Sequence, residues 1–353
     1  MRGFTARYQK AFAAQLQALV GETGSETLKG ETRMPRAFRF AVQSFSATSG
    51  KEWRERARRV EALGYSTLHL ADHILGPGPA ISKSNHPIQE LAAIPAMMSA
   101  AEATTTLEVG CRVFCIDYQH PAVLAKQAAT IDLLSDGRLE LGLGAGWLAA
   151  EYEALDIRFD PPSARIARLE ETIGAFRALF GGDEVAISGK SVNLSGFAGA
   201  PRRPLPPLMI GGGGKRVLSL AAREADIVSL NFDNRSGVLG PDGVKSGSAE
   251  ATAEKIGWIR SAAGARFPEL ELEIGAYFTF VQPGAEKIAA GMGQALGLTQ
   301  AEMLRHPHGL FGSVDAVCDE LQRRRESYGI SYVSVGDNAI DAFAPVVARL
   351  SGK

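Results

Sequence analysis

From Phe38 onward the apolar positions switch repeatedly between a period of two and a period near 3.6. "FRFAVQSF" (38–45) predicts a strand. "GKEWRERARRVEALG" (50–64) predicts a helix, with Trp53, Ala57, Val60 and Leu63 on one face and Gly64 placed to end it. "STLHLA" (66–71) is a second strand and "PIQELAAIPAMMSAAEAT" (87–104) a second helix. "LEVGCRVFC" (107–115) is a third strand, "HPAVLAKQAATIDLLSDG" (120–137) a third helix, and "RLELGLGAG" (138–146) a fourth strand. Strand followed by helix in this order predicts a parallel sheet, because parallel neighbours need a crossover.

The second half is less regular. "EVAISGKSVNL" (184–194) predicts a short hairpin insertion, and "PLPPLMIGGGGKRVLSLAAREA" (204–225) reads as strand, glycine loop and helix. "DIVSLN" (226–231), "LELEIGAYFTFV" (270–281) and "ISYVSVG" (330–336) are further strands, with helices between and after them. About eight such units predict an α/β fold of the (β/α)8 TIM-barrel type with insertions, spanning 37–353. A doubly wound open sheet is the alternative. Residues 1–36 lack this rhythm and are expected to form a loosely attached N-terminal extension.

Composition narrows the function classes. Of 353 residues 45% are hydrophobic and 22% charged, and the formal net charge of -1 is built from interspersed signs. No broad basic face for nucleic acid follows from this, and no apolar run approaches the roughly 20 residues of a membrane span. Cys111, Cys115 and Cys318 suit a reducing compartment, so a cytoplasmic location is expected. Cys111 and Cys115 lie in a strand-like run without a second ligand pair, which argues against zinc.

In a barrel the chemistry collects where strands end. Asp72 and His73 end the second strand, which fits either an Asx turn or a carboxylate that orients or charge-stabilises an imidazole. Arg112, Val113, Phe114 and Cys115 end the third strand. Gly144, Ala145, Gly146 and Trp147 end the fourth, with Glu151 and Tyr152 a turn further on. Gly211, Gly212, Gly213 and Gly214 open into a helix N-terminus. Its N–H groups suit a phosphate, with Lys215 or Arg216 adding charge, or the run is simply a tight turn. His69 reads as a packed strand residue, and His120 as a cap or a rim contact. His306 and His308 have no evident partner, and "RRR" (323–325) reads as a solvated helix face. No nucleophile-elbow serine appears, and few carboxylates reach the expected mouth. A large, flat, phosphate-bearing cofactor fits this set of groups.

"ADHI" (71–74), "GCRVFCIDYQHPAVLAKQAATIDLLSDGRLELGLGAGW" (110–147), "RIARLEE" (165–171) and "MIGGGGKRVLSLAAREADIV" (209–228) together resemble the bacterial luciferase-like monooxygenase superfamily. Within it they resemble the actinobacterial oxidoreductases that use the deazaflavin coenzyme F420. The resemblance implies a luciferase-like barrel with Asp72 and His73 beside the cofactor ring, His73 as proton donor or acceptor oriented by Asp72. It implies a cis peptide at Arg112–Val113 backing the ring, in a cofactor site formed with Phe114, the Gly144–Trp147 loop and Gly211–Gly214. Glu151 and Tyr152 are candidate substrate contacts. Members that oxidise a sugar phosphate carry a glutamate where Trp147 stands and a tryptophan soon after the Asp-His pair; neither is present, which argues against that substrate. The expected activity is hydride transfer between coenzyme F420 and a small organic substrate. The alternatives are an FMN-dependent monooxygenase of the same fold and a non-catalytic flavin- or deazaflavin-binding protein. By analogy with the superfamily, a homodimer is expected.

Overall fold

The computed structural model describes residues 36–353, so residues 1–35 of the expected N-terminal extension lie outside the described residues. Eight parallel strands form the frame: β1 (Arg39–Gln43), β2 (Thr67–Leu70), β3 (Glu108–Cys111), β4 (Leu139–Gly144), β5 (Leu208–Gly212), β6 (Ile227–Leu230), β7 (Glu271–Ala276) and β8 (Ile330–Gly336). Each pairs with its sequence neighbour, and β8 pairs with β1, so the sheet closes into a barrel. That closure excludes the open doubly wound sheet.

Alternation along the strands separates two cores. Phe40, Val42, Leu68, Leu70, Val109, Leu141, Leu143, Ile210, Val228, Ile274 and Val333 point outward into the layer of helices. The inward set is polar or small. At the N-terminal end Arg39 pairs with Glu108 at 2.8 Å, Glu140 at 2.5 Å and Glu271 at 3.2 Å, while buried His69 meets Glu140 at 2.6 Å. His69 is therefore a packed strand residue, as the sequence predicts. Above this layer Ala41, Met209, Ile227 and Tyr332 make a small apolar plug, with Val113 resting on it.

Two expected strands are broken, each at a barrel rim. The run 107–115 stops at Cys111, turns through a cis Arg112–Val113 bond, and resumes only for Phe114–Cys115. The run 270–281 breaks at Tyr277, and Phe278–Val281 leaves the barrel to pair with Gly309–Gly312. The second expected helix begins at Ala93, after a separate short helix Pro79–Ser84. Glu184–Ser188 and Asn193–Ala198 form the expected antiparallel hairpin.

The "RRR" run is not uniformly solvated. Arg324 is fully buried and donates to the carbonyls of His306, Pro307 and Gly309, clamping that loop from within. His306 and His308 also have partners, the carbonyls of Val244 at 2.9 Å and Gly275 at 2.7 Å.

Gly142, on the strand under the cavity, has no room for a side chain. A Cβ on Gly142 would lie 2.0 Å from the Cys111 carbonyl oxygen, a backbone atom that cannot swing away. Gly142→Ala is therefore expected to lower the unfolding free energy by about 3 kcal/mol or more in urea titration; a loss within experimental error would contradict this packing.

Candidate active site

The C-terminal strand ends surround one cavity of about 970 Å³. All the residues expected at the cofactor site line it: Asp72, His73, Arg112, Val113, Phe114, Gly144, Ala145, Gly146, Trp147 and Gly211–Gly214. Val113 forms the floor. Its side chain lies over the positions where Gly144 and Gly211 lack a Cβ; an added Cβ would sit 2.4 Å and 3.4 Å from it. The result is a flat apolar surface bounded by backbone. Ser229 borders it with a buried hydroxyl that has no partner among the described residues.

The polar wall beside the floor is a hydrogen-bonded chain. Arg112 donates to Glu273 at 3.0 Å and to the Tyr277 hydroxyl at 3.0 Å, and Tyr277 donates onward to Asn231 Oδ1 at 2.9 Å. Burial would lower the Arg112 pKa, but the facing Glu273 carboxylate and Tyr277 hold the guanidinium charged.

On the opposite side the Asp-His pair is divided between two partners. Asp72 accepts the Cys115 N–H at 3.0 Å and so fixes the chain just beyond the cis bond. His73 is oriented by Glu151, not by Asp72: His73 Nδ1 lies 2.7 Å from Glu151 Oε2. Glu151 also accepts the Tyr118 hydroxyl at 2.7 Å and the Ile74 N–H at 2.5 Å. Burial alone would raise the Glu151 carboxyl, but His73, Tyr118 and the Ile74 N–H together hold it below its ordinary value. Glu151 is therefore an ionised acceptor, His73 donates from Nδ1, and Nε2 is left for the cavity.

Glu151 and Tyr152 do not meet the expectation of substrate contacts. Both are fully buried behind the wall; Tyr152 donates to Asp117 at 2.8 Å, and a Cβ at Gly146 would fall 1.9 Å from its hydroxyl. Gly146 also has φ 68°, a conformation that glycine adopts without strain. Arg165 fixes the same loop by donating to the carbonyls of Ala145, at 3.2 Å, and Gly146. Within "RIARLEE" this arginine, which starts a buried helix face, is the readable sign of that role.

At the far end of the cavity Gly214 begins the helix Lys215–Glu224, whose first N–H groups have no side-chain cap. A Cβ at Gly213 would fall 2.2 Å from the Phe232 carbonyl oxygen, so the turn needs glycine for close approach. Uncapped donors and the helix dipole suit a phosphate. His120 is a cap, its Nδ1 accepting the Ala122 N–H at 3.3 Å.

His86 lines the cavity and has no counterpart among the expected site residues. It follows the short helix Pro79–Ser84, in a stretch without periodicity, so the chain pattern carries no sign of it. Its ring packs against His73 and Trp147.

A family model described as luciferase-like monooxygenase matches residues 36–256. The chain belongs to the luciferase-like monooxygenase family. Its relatives in that family differ in cofactor. An F420-dependent glucose-6-phosphate dehydrogenase of Amycolatopsis mediterranei (strain U-32) is 33% identical over 175 residues, 49% of this chain and 50% of the relative. An FMNH(2)-dependent dimethylsulfone monooxygenase of Pseudomonas fluorescens (strain Pf0-1) is 30% identical over 138 residues, 38% of this chain and 37% of the relative. The chain thus spans half or less of the length of these two curated relatives. Among solved structures, an F420-dependent secondary alcohol dehydrogenase aligns with a TM-score of 0.69 at 19% identity, covering 89% of this chain and 99% of that one. The coenzyme F420-dependent tetrahydromethanopterin reductase of Methanopyrus kandleri aligns at 0.68 and 17%, covering 90% and 100%. These two likenesses bear on the fold alone. No helix among the described residues is long and apolar enough to cross a membrane.

Burial raises the Asp72 carboxyl from 3.8 to about 6, against the lowering effects of the Cys115 N–H and His73. Between those values the folded chain binds more protons than the unfolded chain, so this group makes stability fall as pH rises through the window. Asp72→Asn keeps an acceptor for the Cys115 N–H and removes the titration. Thermal unfolding from pH 4 to 6 is expected to show the variant gaining on the wild type as pH rises; a constant difference in Tm would contradict the raised value.

Proposed function

We propose that this protein transfers hydride between coenzyme F420 and a small organic substrate. The observation that carries the reading is the pairing of a flat, glycine-edged floor at Val113 with an imidazole held from behind by a buried carboxylate. Hydride removal from a carbinol carbon must be accompanied by loss of the hydroxyl proton, so a site for this reaction needs a proton-handling group beside a planar ring site.

When bound, the deazaflavin would supply the hydride acceptor or donor. Val113 and the edges of Gly144 and Gly211 would bear on a ring face, and the unpartnered Ser229 hydroxyl would meet a polar ring edge. The Gly211–Gly214 run and the first N–H groups of Lys215–Glu224 would hold the phosphate-bearing tail. His73 Nε2 would take or return the substrate proton, with Nδ1 fixed by Glu151. Trp147 and His86 would close the substrate side against water.

An FMN-dependent monooxygenase is the second reading, favoured by the similarity to the dimethylsulfone enzyme. Titration of the purified chain with deazaflavin and with FMN, followed by cofactor and tryptophan fluorescence, separates the two. Tight saturable deazaflavin binding with weak FMN binding is expected; a preference for FMN would overturn the F420 reading. His73→Ala is expected to lower turnover by about 10²-fold or more while leaving cofactor affinity within about twofold. Unchanged turnover in that variant would remove His73 from the reaction.

A further inference from the structure

The closed barrel sets β1 opposite β5, four strands away in either direction. The Gly211–Gly214 run ends β5, so the cavity wall farthest from it lies over β1. Two segments meet there. The carbonyl of Phe45, just beyond β1, accepts the N–H groups of Glu90 and Leu91, both at 3.0 Å. This pins the loop after the short helix Pro79–Ser84 over the end of β1 and seats Gln89, with Phe45, in the cavity wall.

Gln89 is 7% exposed, and its Oε1 is buried with no partner among the described residues. An amide oxygen left unpaired loses its hydration and gains nothing in return, so for packing alone an apolar side chain of equal length would serve better. An amide that lines a cavity can recover the loss from what the cavity holds. A hydroxyl suits it well, because the hydroxyl hydrogen answers Oε1 and its oxygen answers the NH2 group.

The charges around the cavity are unevenly divided. Its cations among the described residues are Arg112, Arg165, Lys215, Arg216 and Arg235. Lys215 and Arg216 open the helix after the glycine run, and Arg235 pairs with Asp233 beside that run. Arg112 is held by Glu273 and Tyr277, and Arg165 by the carbonyls of Ala145 and Gly146. Around β1 the charged side chains are carboxylates, Asp72 after β2 and Asp337 after β8. Asp337 accepts from Ser44 Oγ at 2.7 Å and from Arg56 at 3.1 Å. An anionic substrate at this end would face two acids, with every nearby cation already held by the protein.

We propose that the substrate is an uncharged alcohol carrying a second hydroxyl, and that Gln89 recognises that second group. This rests on the hydride-transfer reading above, in which the reacting hydroxyl faces His73 Nε2. The second hydroxyl meets the Gln89 amide, and Phe45, Pro87 and Trp147 give the carbon frame an apolar wall. Gln89 sets specificity and takes no part in the chemistry.

Two measurements on the full chain test this, and neither needs turnover. Gln89→Met keeps the side-chain length and removes the unpaired amide, so its Tm without ligand is expected to equal or exceed that of the wild type. A fall of several degrees would show that the amide has a structural partner in the fold and would overturn the proposal. The second measurement is the Kd of trans-1,2-cyclohexanediol, cyclohexanol and 2-hydroxycyclohexanecarboxylate by ligand-observed NMR, on the chain alone and saturated with deazaflavin. The wild type is expected to bind the diol about tenfold more tightly than cyclohexanol, and the carboxylate at least about tenfold more weakly than the diol. Gln89→Met is expected to lose the diol preference while binding cyclohexanol as the wild type does. The proposal fails if the wild type has no diol preference, if Gln89→Met keeps it, if the carboxylate binds as tightly as the diol, or if neither neutral probe binds. Failure of the hydride-transfer reading shows separately, as a chain that does not bind deazaflavin, and leaves the comparison on the unloaded chain standing.

Discussion

The Glu151 carboxylate is fully buried, and its charge is balanced only by what donates to it. Those donors come from two places in the chain: His73 and the Ile74 and Leu75 N–H groups from the loop after β2, and the Tyr118 hydroxyl from the loop after β3. Glu151 itself sits on the short helix after β4. An uncompensated buried carboxylate is costly, so these three segments have to converge together. The convergence turns His73 Nδ1 inward and gives the cavity one imidazole with a fixed hydrogen and a free Nε2. Asp72 does a complementary job on the backbone, holding the Cys115 N–H and so the turn that brings Val113 forward.

The barrel interior makes room for this arrangement. Large aliphatic residues usually fill a barrel of this size, but here ion pairs of Arg39 occupy the N-terminal end and a thin apolar plug lies above them. Above the plug the inward positions include Gly144 and Gly211, with Ser229 and Ser334. Small residues there leave a flat surface where bulkier ones would fill the mouth. The same alternation that sends Leu141, Leu143 and Ile210 outward to the helices delivers these glycines inward.

Much of this was legible in the sequence because strand periodicity and the loops after each strand place residues by simple geometry. Eight strands, the glycine run and the groups at the ends of β2, β3 and β4 were readable in that way, and they do line one cavity. What was not readable depends on contacts between distant segments. Adjacency in sequence suggested that Asp72 orients His73, yet successive residues leaving a strand point in different directions, and the partner of His73 comes from 78 residues further on. Glu151 and Tyr152 had the right distance from β4 for a substrate contact but face the wrong side of their short helix. His86 lay in an irregular insertion, and Arg324 in a charge run whose middle residue alone is buried.

A crystal structure of the chain with bound coenzyme F420 tests the central claim most directly. The account predicts the ring against Val113, its reacting edge within about 3.5 Å of substrate held at His73 Nε2, and the phosphate at Gly211–Gly214. A ring bound elsewhere in the cavity, or His73 turned away from it with Glu151 unpaired, would contradict the account.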